Sequence, residues 1–384
     1  MSQSTGTGLR LPPGAIRVGI TAFASASLLG LVVLFLITHD VRSSLDGFRQ
    51  FQPIWILPAL GLAAVDWFGG GLRLWILTRP LGIQIKYRKC VQTSAATAAL
   101  AYLTPSGTGG GPAQLYGLVR HGASLGRSVA TNFASVTVNL LFLSLAGFGA
   151  WFFGAAESIE GIRLPVANVD AATLFKWCAV GFGTIAGIVL TIALSPRLPR
   201  LLAVRFFGTG PRVRCALRFF QELHGAIRIY GARGKLALIL ATLVNILPFG
   251  ARFVMGWAVL RGFGIDPGFW NVVTLHVMLH FLLYFMPTPG GSGVAEVLAP
   301  AVMSSFLPAS LLVAYTVLWR FFLAYVTIIV GGIILFRWLE ADGQRLLARE
   351  SDGSDHSAAF EGSGVAPSRS DSRTAQYRER KDDG

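Results

Sequence analysis

The chain has 384 residues, of which 53% are hydrophobic and only 14% charged, with a net charge of +14. A water-soluble domain carries about 25% charged residues, so the composition excludes one and points to a membrane protein. The basic residues gather in particular loops between apolar runs, which is how membrane topology is written and not how a nucleic-acid-binding face is built.

Apolar runs occupy residues 17–38, 54–77, 129–153, 171–194, 235–260 and 310–336. Each approaches or exceeds the ~20 residues that a spanning helix needs. A short segment, 1–16, precedes the first run and carries Arg10, with Arg17 at the run's start. That run is too long for a signal-peptide core and lacks a small-residue cleavage site, so it reads as an uncleaved anchor. The 39–53 loop is neutral, with Asp40 and Asp46 against Arg42 and Arg49.

After the second run comes a basic loop with Arg79, Lys86, Arg88 and Lys89. The apolar stretch 90–120 follows, interrupted by "YLTPSGTGGGPAQLYG", and leads to Arg120, His121 and Arg127. Its arms are too short for two spans, and its two ends are both basic. A re-entrant hairpin that starts and ends on the cytoplasmic side satisfies both facts. The 155–170 loop is acidic on balance, with Glu157, Glu160 and Asp170 against Arg163.

The segment 196–234 is strongly basic. Within "VRCALRFFQELHGAIRIY" the apolar residues share one helical face. That pattern suits a helix lying on the anionic leaflet and equally a solvated linker helix. Between the fifth and sixth runs, 270–306 is apolar but broken by "FMPTPGGSGVAE". Prolines and glycines at bilayer depth are tolerated only inside protein or beside a watery cavity. The positive-inside rule places this stretch as a second hairpin, dipping from the outer side. Beyond Trp338, residues 339–384 read as a disordered cytoplasmic tail.

The expected fold is therefore an all-α polytopic membrane protein with about six spanning helices and two oppositely oriented re-entrant hairpins. The first repeat would cover 17–153 and the second 171–336, an inverted-topology arrangement found in transporters. Internal echoes agree with this. Asp66 and Arg73 lie seven residues apart, as do Asn245 and Arg252. Both arginines precede a Gly-Ile pair, Gly82–Ile83 and Gly264–Ile265. Gln114 and Asn139 answer Glu296 and Arg320. The first run and the basic loops put both termini on the cytoplasmic side of a bacterial inner membrane.

Candidate chemistry lies in the two breaks and in ionisable groups within the runs. A short helix starting after each break would present N–H groups that favour an anion, and Pro112 suits such a first turn. Charges at bilayer depth usually face a partner or an aqueous path, which singles out Asp66, Arg73, Arg252, Arg320 and Glu296. Glu296 would either pair with an arginine or exchange protons. His276 and His280, one helical turn apart, suit packing or a proton relay. Two ligands with no third nearby make a poor metal site, and no metal or other cofactor is expected. Neither Gly-rich stretch has the Lys-Ser/Thr of a P-loop, and H-E-x-x-H and G-x-S-x-G are absent.

The motifs "LTPSGTGGGPAQLYGLVRHGASLGRS" and "PTPGGSGVAE" resemble those of the lysylphosphatidylglycerol synthase transmembrane, flippase-like, family. The resemblance covers roughly residues 15–338. Members are similar to the lipid-translocating half of the bacterial multiple peptide resistance factor. The resemblance implies a central site with Thr104, Pro105, Gly109, Gly110, Pro112 and Gln114 on one side. Pro287, Pro289, Gly290, Gly291, Gly293 and Glu296 would form the other. Many relatives carry Glu where Gln114 stands, which argues against a mechanism needing two carboxylates. It implies a translocase for an anionic or modified lipid, without the aminoacyl-transfer activity of bifunctional relatives. The alternatives are an integral-membrane lipid-modifying transferase and a non-catalytic subunit of a lipid-synthesis complex.

Overall fold

The computed structural model describes residues 13–38, 46–152, 171–194, 225, 228–284 and 286–362. The acidic 155–170 loop and most of the 196–234 insert, with its amphipathic face, lie outside these residues. Regular structure among the described residues is helical, apart from one isolated bridge. In chain order the helices are α1 (Pro13–Thr38), α2 (Ile56–Thr78), α3 (Tyr87–Tyr102), α4 (Gly110–Arg120), α5 (Leu125–Phe152) and α6 (Ala171–Leu194). There follow α7 (Lys235–Val244), α8 (Ile246–Gly262), α9 (Phe269–Tyr284), α10 (Ala295–Met303), α11 (Ala309–Arg320) and α12 (Val326–Gly362).

Four helical runs among the described residues are long and apolar enough to cross a membrane: Pro53–Thr78, Leu125–Phe152, Lys235–Gly262 and Ala309–Gln344. The distribution of side chains has the sense a bilayer demands. Leu57, Phe68, Leu243, Ile246 and Ile329 are exposed, while Asp66, Asn245, His276, Glu296 and Arg320 are buried. Water would reverse that arrangement, because it penalises broad apolar surface and buried charge alike. The protein is an all-helical, multi-pass membrane protein.

Helix α2 is central and packs on α3, α7 and α8. Small residues make that closeness feasible, as is usual where lipid offers no hydrophobic drive between helices. A Cβ at Gly71 would meet the backbone of Val91 on α3, and one at Gly331 would fall on the carbonyl of Ala95. Helix α4 folds back on α3, and α10 is joined to α9 by a Gly-Pro turn. Helix α1 lies along α10 and α11, and α6 packs on α5 and α9.

Two apolar runs are less regular than their sequence suggests. The run 235–260 is broken at Asn245, and α8 restarts with Pro248 inside its first turn, where a missing N–H is harmless. The last run contains a π-helical segment, Phe321–Tyr325, directly after Arg320. Such segments cluster at functional sites. Helix α12 also continues to Gly362, past the point where a disordered tail was expected to begin. Glu340, Ala341 and Gln344 are good helix formers, and the hydrogen-bond ladder of α12 is already nucleated upstream.

Candidate functional site

The two breaks meet. Pro105 of the α3–α4 turn and Pro289 of the α9–α10 turn form an antiparallel bridge. Ser106 Oγ donates to the Met286 carbonyl at 3.3 Å. Each turn is tied by its own device. Thr104 Oγ1 donates to the Leu100 carbonyl at 2.8 Å and accepts from the Gly109 N–H at 2.7 Å. In the second turn the Glu296 carboxylate accepts from the Gly293 N–H at 2.7 Å. The N–H groups of Gly109 and Gly293 are thus occupied by side chains of the protein.

Three glycines of the second turn have positive φ: Gly290 at 56°, Gly291 at 68° and Gly293 at 84°. An L-residue in that region costs roughly 1–2 kcal/mol. Gly293→Ala is therefore expected to lower stability by about that amount. The check is thermal unfolding of purified protein in detergent. Gly293→Asn should cost less, because Asn tolerates this backbone region.

Arg320 holds the second turn from beneath. Its Nε bonds Glu296 Oε1 at 3.1 Å, one terminal nitrogen bonds the Gly290 carbonyl at 3.1 Å, and the other bonds Ser292 Oγ at 2.9 Å. Arg320 and Glu296 are each 1% exposed, so the pair is closed to water. Charge-assisted bonds of this kind are the strong ones, and they offset burying two ions.

A second ion pair lies between α2 and α8. Arg252 makes a two-point contact with Asp66, with Nε to Oδ2 and a terminal nitrogen to Oδ1, both at 3.0 Å. Arg73, on α2, donates to Asn139 Oδ1 and, at 3.0 Å, to Asn245 Oδ1. The residues that echo each other in sequence are thus paired crosswise, Asp66 with Arg252 and Asn245 with Arg73. The helix ends match too. Ile83 N–H reaches Thr78 O and Ile265 N–H reaches Leu260 O, both at 3.2 Å. Gly82 and Gly264 supply the positive-φ residue that this Schellman ending requires.

Two cavities of about 180 Å³ each, both with arginine in their walls, flank the crossed pairs. The first is lined by Arg252, Arg320, His280, Tyr102, Thr288 and the Gly290–Gly291 backbone. The second is lined by Asp66, Arg73, Gln114, Asn139 and the Gly110–Gly111 backbone. Arg252 and Tyr284 stand in the wall common to both. Several buried polar atoms along these walls have no hydrogen-bond partner within the protein. They include Thr288 Oγ1, His280 Nε2, Gln114 Nε2, Ser135 Oγ and Arg73 Nε. Both cavities combine arginine with uncommitted polar groups, a lining suited to an anion that also carries other polar functions.

Of the residues singled out in the sequence, Arg73, Arg252, Arg320, Asp66, Gln114, Gly110, Gly290, Gly291 and His280 line one cavity or both. Thr104, Pro105, Gly109, Pro289, Gly293 and Glu296 shape the turns behind them. Pro112 and Pro287 are exposed and line neither cavity. His276 is buried with Nε2 at 2.9 Å from the Tyr315 hydroxyl and Nδ1 at 3.0 Å from the Val272 carbonyl. It belongs to the core between α9 and α11. Tyr102, Tyr284 and Thr288 were not singled out, and nothing but proximity to a break marks them in the sequence. Among the described residues no three His, Cys, Asp or Glu side chains are grouped as metal ligands.

Comparison with known proteins matches residues 16–331 to the family described as Lysylphosphatidylglycerol synthase TM region. A UPF0104 membrane protein of Archaeoglobus fulgidus is 25% identical over 316 residues, covering 80% of this chain and 94% of that protein.

Proposed function

Since the chain belongs to the lysylphosphatidylglycerol synthase TM-region family, we propose that it carries a lipid with an anionic headgroup between bilayer leaflets. The observation that supports this most is the first cavity, where Arg252 and Arg320 face one space beside two broken helices. Cationic, hydrogen-bonding walls inside an apolar exterior suit an amphiphile whose headgroup enters while its chains stay in lipid. In this reading the breaks at 103–109 and 285–294 are the tips of two re-entrant hairpins. They belong to oppositely oriented repeats, and both termini face the cytoplasm. The crossed pairs Asp66–Arg252 and Asn245–Arg73 lie at the repeat interface, where transporters of this architecture bind substrate.

Rocking of one repeat against the other would open the first cavity and the second in turn, with Arg252 passing the headgroup between them. Arg320 and Glu296 act as a fixed brace for the second turn. With both charges satisfied and closed to water, Glu296 is a poor proton carrier. The chain has no nucleotide-binding motif, so the driving force comes from the lipid gradient or from removal of the product.

A ligand that binds only the folded protein raises its stability in proportion to occupancy. Phosphatidylglycerol added to the detergent-purified protein is expected to raise the unfolding temperature, and phosphatidylcholine to raise it less. Arg252→Ala should lose the difference. Equal effects of the two lipids on the native protein would count against an anion-selective site.

A further inference from the structure

A third cavity lies beside the first and differs from it in chemistry. It is an apolar groove of about 400 Å³, lined by Ile20, Phe23, Leu31, Leu103, Ile328 and Ile329. Ala24, Ser27 and Leu28 complete its α1 side. On α1 these residues recur at three- and four-residue steps, so they form one continuous stripe of the helix.

The groove exists because α1 is held at two points. At Gly19 the helix lies against the Leu103 carbonyl of the first turn, where a Cβ would come within 2.6 Å. At Gly30 it lies against Gly293 and Glu296 of the second turn, each 2.9 Å from where a Cβ would be. Between those glycines the helix rises about 16 Å, at 1.5 Å per residue. Half of a ~30 Å hydrocarbon core, the depth one lipid chain fills in its leaflet, is nearly the same length.

Phe23 stands between the groove and the first cavity. Phe23 lines the groove, and the Arg320 guanidinium stacks over it at 5.6 Å. The same ring meets Tyr325 edge-on at 5.6 Å and lies 3.1 Å from where a Cβ on Gly290 would be. Gly290 and Arg320 both line the cavity on the other side. A cavity with arginine in its wall and an apolar groove, one on each side of Phe23, match the two ends of one amphiphile.

We propose that the groove between α1 and the start of α12 holds one acyl chain of the transported lipid, with Phe23 as the movable partition. This rests on the reading that the headgroup occupies the cavity at Arg252 and Arg320. The groove then marks the lateral opening through which the lipid enters from the bilayer.

The test uses the full chain in phosphatidylcholine vesicles containing phosphatidylglycerol with a photoactivatable group on its acyl chain. Adducts are expected at Leu31 and Ile328 and should fall several-fold in Arg252→Ala, whereas adducts at lipid-facing Leu57 should not change. Ala24→Trp, which fills the groove, should slow lipid crossing several-fold. Leu29→Trp, on the exposed face of α1, should leave it unaltered. If Ala24→Trp crosses lipid like Leu29→Trp, or groove adducts ignore Arg252, the groove assignment falls while a headgroup site still stands. If native protein crosses no lipid, the transport reading falls, and groove adducts no denser than those at Leu57 then overturn the groove as well.

Discussion

Arg320→Ala is expected to destabilise the protein by about 3–5 kcal/mol, the usual consequence of removing one partner from a buried ion pair. The variant strands the Glu296 carboxylate, which is 1% exposed, and frees the Gly290 carbonyl and the Ser292 hydroxyl. Thermal or denaturant unfolding in detergent measures this directly. Glu296→Gln should also destabilise, because Arg320 then keeps a buried charge without its counter-ion. The double change Glu296→Leu with Arg320→Met should recover much of the loss, since replacing both charges by apolar groups of similar size is often neutral. A proton-carrying role for Glu296 predicts otherwise: Glu296→Gln would fold normally and abolish coupling alone.

Arg252→Ala is expected to have the largest effect on transport. It removes the cation common to both cavities and with it charge-assisted hydrogen bonds worth about 1.5–3 kcal/mol. Anionic-lipid affinity should fall about ten- to a hundredfold. Asp66→Asn should act differently. Arg252 would keep its donors but lose the carboxylate that competes with a bound phosphate. Tighter lipid binding with slower turnover is the expected result, read as a lower half-saturating lipid fraction and a lower maximal rate. If Asp66→Asn and Arg252→Ala gave the same kinetic defect, the pair would be a structural bond and not an exchange point.

Much of the site was legible because membranes make polar residues conspicuous. Asp66, Arg252 and Arg320 stand out in apolar sequence, and the Gly/Pro turns cannot be continuous helix. The residues of the seven-residue spacing shared by Asp66–Arg73 and Asn245–Arg252 are brought into contact, Asp66 with Arg252 and Asn245 with Arg73. Composition gave no sign of which echo pairs with which. That depends on helix packing, and nothing local says that Asp66 on α2 faces Arg252 on α8.

The break at Asn245 was hidden for a different reason. Its neighbours are as apolar as any spanning helix, and Pro248 within a first turn looks like a tolerated kink. Anion binding at the starts of α4 and α10 was a fair inference from dipole and free N–H groups. Side chains of Thr104 and Glu296 take the N–H groups of Gly109 and Gly293, so those two groups are not free for an anion. Phe23 could not have been found by sequence. Its place between groove and cavity is set by two glycines that hold α1 across both turns.

In transport a headgroup passes Arg252 on its way between leaflets. The most direct test follows headgroup-labelled phosphatidylglycerol in vesicles of purified protein, by loss of accessibility to a membrane-impermeant quencher. Crossing well above protein-free vesicles is expected, reduced to near background in Arg252→Ala that remains folded. Crossing no faster than in empty vesicles, or equally fast in Arg252→Ala, would contradict it.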